Sequence, residues 1–121
     1  MSDKTTPRNC IFCKIVRGEI PAKNAYEDEL VVAFHDIRPV APVHVLVIPK
    51  VHIASLAECG LDHQALLGRM LAVAPRLARE LGATDGFRTL INTGRDGRQE
   101  VYHLHMHVIG GRDTGPMIVR I

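Results

Sequence analysis

The sequence predicts an α+β domain with one main helix, and three observations carry that reading. Two valine-rich runs, residues 29–35 and 43–48, are bounded by turn residues, as buried strands are. Between residues 61 and 81, apolar side chains recur every three or four positions, which places one apolar stripe on a helix. Two more strand-like runs, 87–92 and 100–109, follow the helix. The 121 residues favour a single domain, residues 10–121, over two cores.

Residues 1–9 are polar and read as a flexible tail, and the CIFCKIV segment from Cys10 to Val16 begins the ordered part as a short helical turn that Gly18 ends. IRPVAP separates the first two strands, and Pro49-Lys50 closes the second. The helical stripe comprises positions 66, 67, 70, 71, 74, 77, 78 and 81. Pro75 interrupts it. With no N–H for the Leu71 carbonyl it costs about 3 kcal/mol in a helix interior, so a kink or break is expected there. Gly82 suits the helix C-cap. The TGRDGR loop, residues 93–98, joins the last two strands, and Gly110, Gly111, Gly115 and Pro116 read as a flexible exit.

Hydrophobic residues make up 46% and charged residues 23%, a globular composition that argues against disorder. Fifteen Lys and Arg against thirteen Asp and Glu give +2, too little to hold a nucleic-acid backbone by charge. No run approaches the ~20 apolar residues of a membrane span, and the polar start lacks the apolar stretch of a secretory signal. No membrane partner and a cytoplasmic location are therefore expected. Three cysteines in that setting argue against a disulfide framework. A domain this small buries only about two-thirds of its unfolded surface, which favours a dimer.

Seven histidines are the unusual feature, and three of them alternate within residues 100–109. Strand side chains alternate with period two, so His103, His105 and His107 are expected on one face, with Tyr102, Leu104, Met106 and Val108 on the core face. Positions two apart lie about 6.7 Å from each other and the outer pair about 13 Å, so one reacting group is shared by neighbours only. His105 belongs to every such pair. It is the candidate nucleophile, with an outer histidine supplying a proton or hydrogen bond. A solvated histidine strand and a three-histidine metal site are the other readings, although parallel side chains converge poorly on one ion.

The run His103-Leu104-His105-Met106-His107-Val108-Ile109 matches an H-φ-H-φ-H-φ-φ signature. It resembles the histidine triad (HIT) superfamily, in particular its Hint branch of nucleotide-binding phosphoramidases. The resemblance extends through IFCKI, AFHDIRPVAPVHVLVIPKVHI, Asn92 and GRQEVYHLHMHVIGGR. It implies a five-stranded antiparallel sheet with one main helix and a short N-terminal helix, the sheet continuing across a homodimer. It also implies a hydrolase that cleaves the P–N bond of purine nucleoside phosphoramidates, AMP or GMP derivatives such as AMP-lysine, and acyl-adenylates, through a covalent nucleotidyl-histidine. A dinucleoside polyphosphate hydrolase of the same superfamily and a nucleotide-binding regulatory adaptor are the alternatives.

On the same resemblance, His105 attacks the α-phosphorus while a backbone carbonyl holds its Nδ1–H. His107 hydrogen-bonds the phosphoryl oxygens or the bridging atom, His103 completes the catalytic histidines, and His44 supports the site, with a buried or interface histidine as the other reading for His44. Asp36 matches a ribose ligand, its alternative being a turn before Arg38-Pro39. Ile11, Phe12, Ile15, Phe34, His35 and Ile37 match the base pocket; Asn92 lies near the phosphate, and Gln99, Glu100 and Val101 line the leaving-group side. The Glu100 carboxylate suits a cationic, lysine-like leaving group. Arg98 stands where a glycine is more usual, and with Arg95 it suggests tolerance of an anionic side group. No glycine-rich P-loop is present.

Cys10 and Cys13 have the two-residue gap of a zinc-binding pair. In zinc-bearing relatives the remaining ligands resemble His52 and His103, which implies a closed structural site with no cofactor needed for catalysis. Packed reduced thiols and thiol chemistry are the other readings. Cys59 reads as helix-side packing and His63 as solvent-facing.

Overall fold

A computed structural model describes residues 8–116; residues 1–7 of the expected N-terminal tail, and 117–121 at the other end, lie outside the described residues. Cys10 opens α1 (Ile11–Val16) by accepting the Cys13 N–H on its Sγ at 3.3 Å. Next come β1 (Asn24–Glu27), β2 (Val31–His35) and β3 (Val43–Pro49). Two 3-10 turns, Leu56–Glu58 and Leu61–His63, lead into α2 (Gln64–Leu81), and β4 (Phe87–Leu90) and β5 (Met106–Gly110) complete one antiparallel five-stranded sheet of order β1-β2-β3-β5-β4.

β3 is buried along its whole length because it lies between two strands and is covered on both faces. On one face Val45 and Val47 meet Met70, Val73, Ala74 and Leu77 of α2, together with Val31, Ala33, Met106 and Val108. On the other, Leu46 and Ile48 pack with Val32, Phe34 and Phe12 of α1. By register His107 pairs with Leu46 and Ile109 with His44, so both histidines share the face that α1 covers only in part. The sheet therefore has a core side and a chemical side.

β1 is an addition to the four strands read from residue pattern alone. NAYE is short and polar, and Asp28 makes it a strand by closing the turn to β2: its carboxylate accepts the Leu30 and Val31 amides at 2.8 and 2.9 Å, the Tyr26 hydroxyl at 2.7 Å and Arg69 at 2.7 Å. Those bonds outweigh burial and hold the Asp28 carboxyl well below the usual carboxylate range.

Several boundaries differ from expectation. α2 begins at Gln64, after a 3-10 turn, and runs unbroken through Pro75. Val73 and Leu77 on either side of the proline are buried, and their burial, worth roughly 1.5–3 kcal/mol each, offsets the roughly 3 kcal/mol that the proline costs. Leu71, counted in the stripe, is exposed. Gly110 is no flexible exit: it ends β5, and a Cβ there would lie 2.8 Å from the Ala83 Cβ.

The largest correction concerns residues 100–109. Only Met106–Gly110 is strand, so the alternation of three histidines on one face fails: His103, Leu104 and His105 are all buried, and Tyr102 is exposed. Leu104 N donates to Ile53 O at 2.7 Å, and this tie carries the segment across the sheet end before β5 begins.

Candidate active site

His103 and His105 are two residues apart yet do different work. The His105 Nδ1–H donates to the His103 carbonyl at 2.8 Å, so the ring's free lone pair is on Nε2. Phe12 packs its ring edge-on against His105, centroids 5.2 Å apart, which fixes the orientation of the imidazole. A buried imidazole with one nitrogen anchored and the other bearing a lone pair has the form of a positioned nucleophile.

A second chain of bonds sets the tautomer of His107. The Val40 amide donates to His44 Nδ1 at 3.2 Å, so neutral His44 carries its proton on Nε2. That Nε2–H lies 2.9 Å from His107 Nδ1, which must accept, leaving His107 Nε2–H as a donor. The His107 ring centroid is 5.3 Å from that of His105, so donor and lone pair border one space. Asp36 Oδ2 lies 3.4 Å from His44 Nε2, and Asp36 Oδ1 accepts the Arg38 amide at 2.8 Å. Asp36, His44 and His107 could be taken for a metal triad, their donor atoms lying within 4.8 Å of one another. The Val40 bond argues otherwise, because it keeps a proton on the nitrogen a metal would need.

Burial pushes His44 down, against the pull of Asp36, and burial with His105 and His44 alongside pushes His107 down to about 4. An unfolded histidine titrates near 6.5. Between those values the unfolded chain binds protons that folded His107 refuses, so stability is full above about pH 6.5 and declines as pH falls toward about 4. Urea midpoints recorded from neutral pH downward are expected to show that decline, and a shallower one in His107→Gln. Equal slopes in the two proteins would remove His107 as its source.

The third constellation joins α1 to the segment that carries His105. Cys10 Sγ and Cys13 Sγ each lie 3.4 Å from His103 Nδ1; Cys13 Sγ is 3.3 Å from His52 Nδ1, and the two Nδ1 atoms are 3.2 Å apart. Donors about 2.1 and 2.3 Å from one ion stand roughly 3.4–3.8 Å from each other in a tetrahedron, so the set fits one zinc. His103 Nε2–H donates to the Pro49 carbonyl at 2.9 Å, which turns the Nδ1 lone pair toward the cluster. Burial holds His103 down at about 4, hence neutral, while burial and Cys10 push the Cys13 thiol up to about 12 against the weaker pull of Arg17.

The HIT domain family matches residues 17–114, which include both histidine networks. The chain belongs to the HIT family. It is 58% identical over 102 residues to Protein HitA of Neisseria gonorrhoeae, covering 84% of this chain and 95% of that one. It is 50% identical over 109 residues to the purine nucleoside phosphoramidase of Escherichia coli strain K12, covering 89% and 92%. Among solved structures, a HIT family hydrolase from Legionella pneumophila Philadelphia 1 matches with TM-score 0.85 and 47% identity, covering 88% of this chain and 96% of that one. A HIT family hydrolase from Clostridium thermocellum matches with TM-score 0.89 and 45% identity, covering 94% and 100%. This HIT protein is thus an enzyme of the hydrolase kind. No helix among its described residues is long and apolar enough to cross a membrane.

The HIT fold brings the pocket candidates together unevenly. Phe12 and Phe34 meet edge to face, centroids 5.5 Å apart, with Ile15 and Val101 packed beside them. His35 and Asp36 are half-buried at the end of β2, whereas Ile11 is exposed and Ile37 is 92% exposed. Gln99 holds the scaffold: Nε2 donates to Ala54 O and Val101 O at 2.8 and 3.0 Å, and Oε1 accepts the Gly94 amide at 2.9 Å. Asn92 Nδ2 donates to Gly97 O at 2.9 Å, and Glu100 is exposed. Two contributors escaped sequence reasoning, the Val40 amide and the Pro49 carbonyl, because backbone groups carry no signal in residue type.

Proposed function

We propose that this protein hydrolyses the P–N bond of purine nucleoside phosphoramidates, AMP or GMP derivatives such as AMP-lysine, and also acyl-adenylates, through a nucleotidyl-His105 intermediate. The observation that carries the reading is the His105 Nδ1–H bond to the His103 carbonyl, which leaves Nε2 as the attacking atom. The name of the Escherichia coli relative supports the substrate class.

In the first half-reaction the Nε2 lone pair forms the bond to the α-phosphorus, the P–N bond breaks, and the amine leaves after taking up one proton. In the second, a water oxygen replaces Nε2 on phosphorus, the nucleotide departs, and one proton is returned. His107 Nε2–H donates to the phosphoryl oxygens or the bridging nitrogen, stabilising charge as it grows. His44 holds His107 in the donating tautomer. Asp36 Oδ2 accepts the ribose hydroxyls while Oδ1 stays in its turn. Ile11, Phe12, Ile15, Phe34, His35 and Ile37 line the base, Asn92 approaches the phosphate, and Gln99, Glu100 and Val101 frame the leaving group.

Cys10, Cys13, His52 and His103 hold one structural zinc, which when bound supplies a cross-link between α1 and the catalytic segment and needs thiols kept reduced, as in cytoplasm. Two copies pair through the outer edge of β4, which no described strand covers and where Phe87 is 39% exposed, extending the sheet across a homodimer. The substrate class is tested by comparing kcat/KM for an adenosine phosphoramidate and a diadenosine polyphosphate. A preference for the phosphoramidate of about tenfold or more is expected, equivalent to roughly 1.4 kcal/mol. The reverse preference identifies a polyphosphate hydrolase, and binding with no turnover of either identifies an adaptor.

A further inference from the structure

The loop between β4 and β5 forms the rim of the site at its nucleophile end. Leu90 pairs with His107, so the chain beyond β4 runs past the level of His105, and the segment after Gln99 returns directly to the nucleophile. The rim is tied from within. Asn92 holds Gly97 O, Gln99 holds Gly94 N, and Arg98 N donates to Arg95 O at 3.0 Å. A Cβ on Gly97 would lie 2.4 Å from Thr93 O, so no larger residue fits there. In this frame Arg98 sits at φ 62, the only residue other than glycine in the left-handed region among those described. Glycine would take that conformation without strain, so what arginine adds in return for the strain is its side chain.

The charge pattern says what use. Gln99 is buried and locked, while Arg98 and Glu100 on either side of it are exposed, which leaves a cationic and an anionic residue two positions apart on the rim. Arg95 and Asp96, also exposed, face each other at 3.5 Å and largely cancel. Among the described residues no carboxylate pairs with Arg98. A purely anionic group docking there would be repelled by Glu100, and a purely cationic one by Arg98. A group with both charges satisfies both.

We propose that Arg98 and Glu100 form a leaving-group subsite for a zwitterion: the α-carboxylate and α-ammonium of an amino acid joined to the nucleotide through its side-chain amine. Arg98 takes the carboxylate and Glu100 the ammonium, outside the reacting atoms, so both are specificity residues. The proposal rests on the phosphoramidase reading and deepens it.

The test measures kcat/KM for four adenosine phosphoramidates, whose amines are lysine joined through Nε, its methyl ester, its Nα-acetyl derivative, and hexylamine. Esterification is expected to cost the unmodified protein about three- to tenfold, the range of a charge-assisted bond partly open to water. That cost is expected to vanish in Arg98→Gly and to persist in Arg98→Lys. The cost of acetylation is expected to vanish in Glu100→Gln but to persist in Arg98→Gly. An ester penalty of the same size in unmodified and Arg98→Gly proteins overturns the subsite while hexylamine release upholds the phosphoramidase reading. No turnover of any of the four overturns the phosphoramidase reading itself.

Discussion

Replacing His105 with alanine is expected to lower kcat/KM for an adenosine phosphoramidate by about 10⁴-fold or more, the scale on which loss of a covalent nucleophile leaves only binding and electrostatic help. The geometry makes the loss irreplaceable. His107 lies beside His105, but its Nδ1 accepts from His44, so its outward nitrogen carries a proton and cannot attack. His103 is turned away, with Nε2 on the Pro49 carbonyl and Nδ1 in the cysteine cluster. Removing His107 instead deletes one donor to the developing charge and is expected to cost about 10²–10³. Acid-quenched reaction with labelled substrate should place the nucleotide on His105 by mass spectrometry. A His105→Ala protein turning over at the unmodified rate, or label found only on His107, would sink the assignment.

The sheet was legible where physics acts locally. Val43 to Ile48 declares a buried strand because every residue must face a covered side, and the histidine spacing exposes the chemistry because nothing structural calls for three imidazoles so close. β1 was illegible in the residue pattern: its four residues, NAYE, pair with β2 across a turn closed by Asp28, which is held in turn by Tyr26 and by Arg69, the latter far along the chain. The alternation over residues 100–109 misled for a related reason. Period-two spacing cannot show that the Leu104 amide is tied to Ile53 rather than to a neighbouring strand.

Within the site, residue types were readable and directions were not. Spacing pairs His105 with one outer histidine and leaves open which, and only the resemblance singles out His107; that one ring presents a lone pair and the other a proton depends on the His103 carbonyl and the Val40 amide. Gln99 shows the same limit, since the resemblance assigns it to the leaving-group side while its three side-chain bonds make it the pin of the rim loop. Arg98 is the opposite case. Its departure from glycine is visible in the sequence, and its positive φ gives the physical reason a glycine is easier there.

Stripping metal from the protein with a chelator is expected to lower Tm by roughly 15 °C. A ligand present at about a thousand times its Kd contributes about 4 kcal/mol to the folded state, and for a domain of this size each kcal/mol moves Tm by about 4 °C. The sheet and α2 should keep their structure, because their core lies on the other face and includes neither cysteine of α1. α1 should loosen, and activity should fall with it. Phe12, one residue before Cys13, packs edge-on against both His103 and His105, and the His103 carbonyl holds the His105 proton, so the donor set that would grip zinc would also aim His105. Cys13→Ser is expected to reproduce both losses. Metal analysis of untagged protein should give about one zinc per chain, the stoichiometry of four ligands around one ion. Fully active protein with far less metal, and a Tm that chelation leaves unmoved, would show the four side chains to be packed thiols and imidazoles, with the aim of His105 secured by the sheet alone.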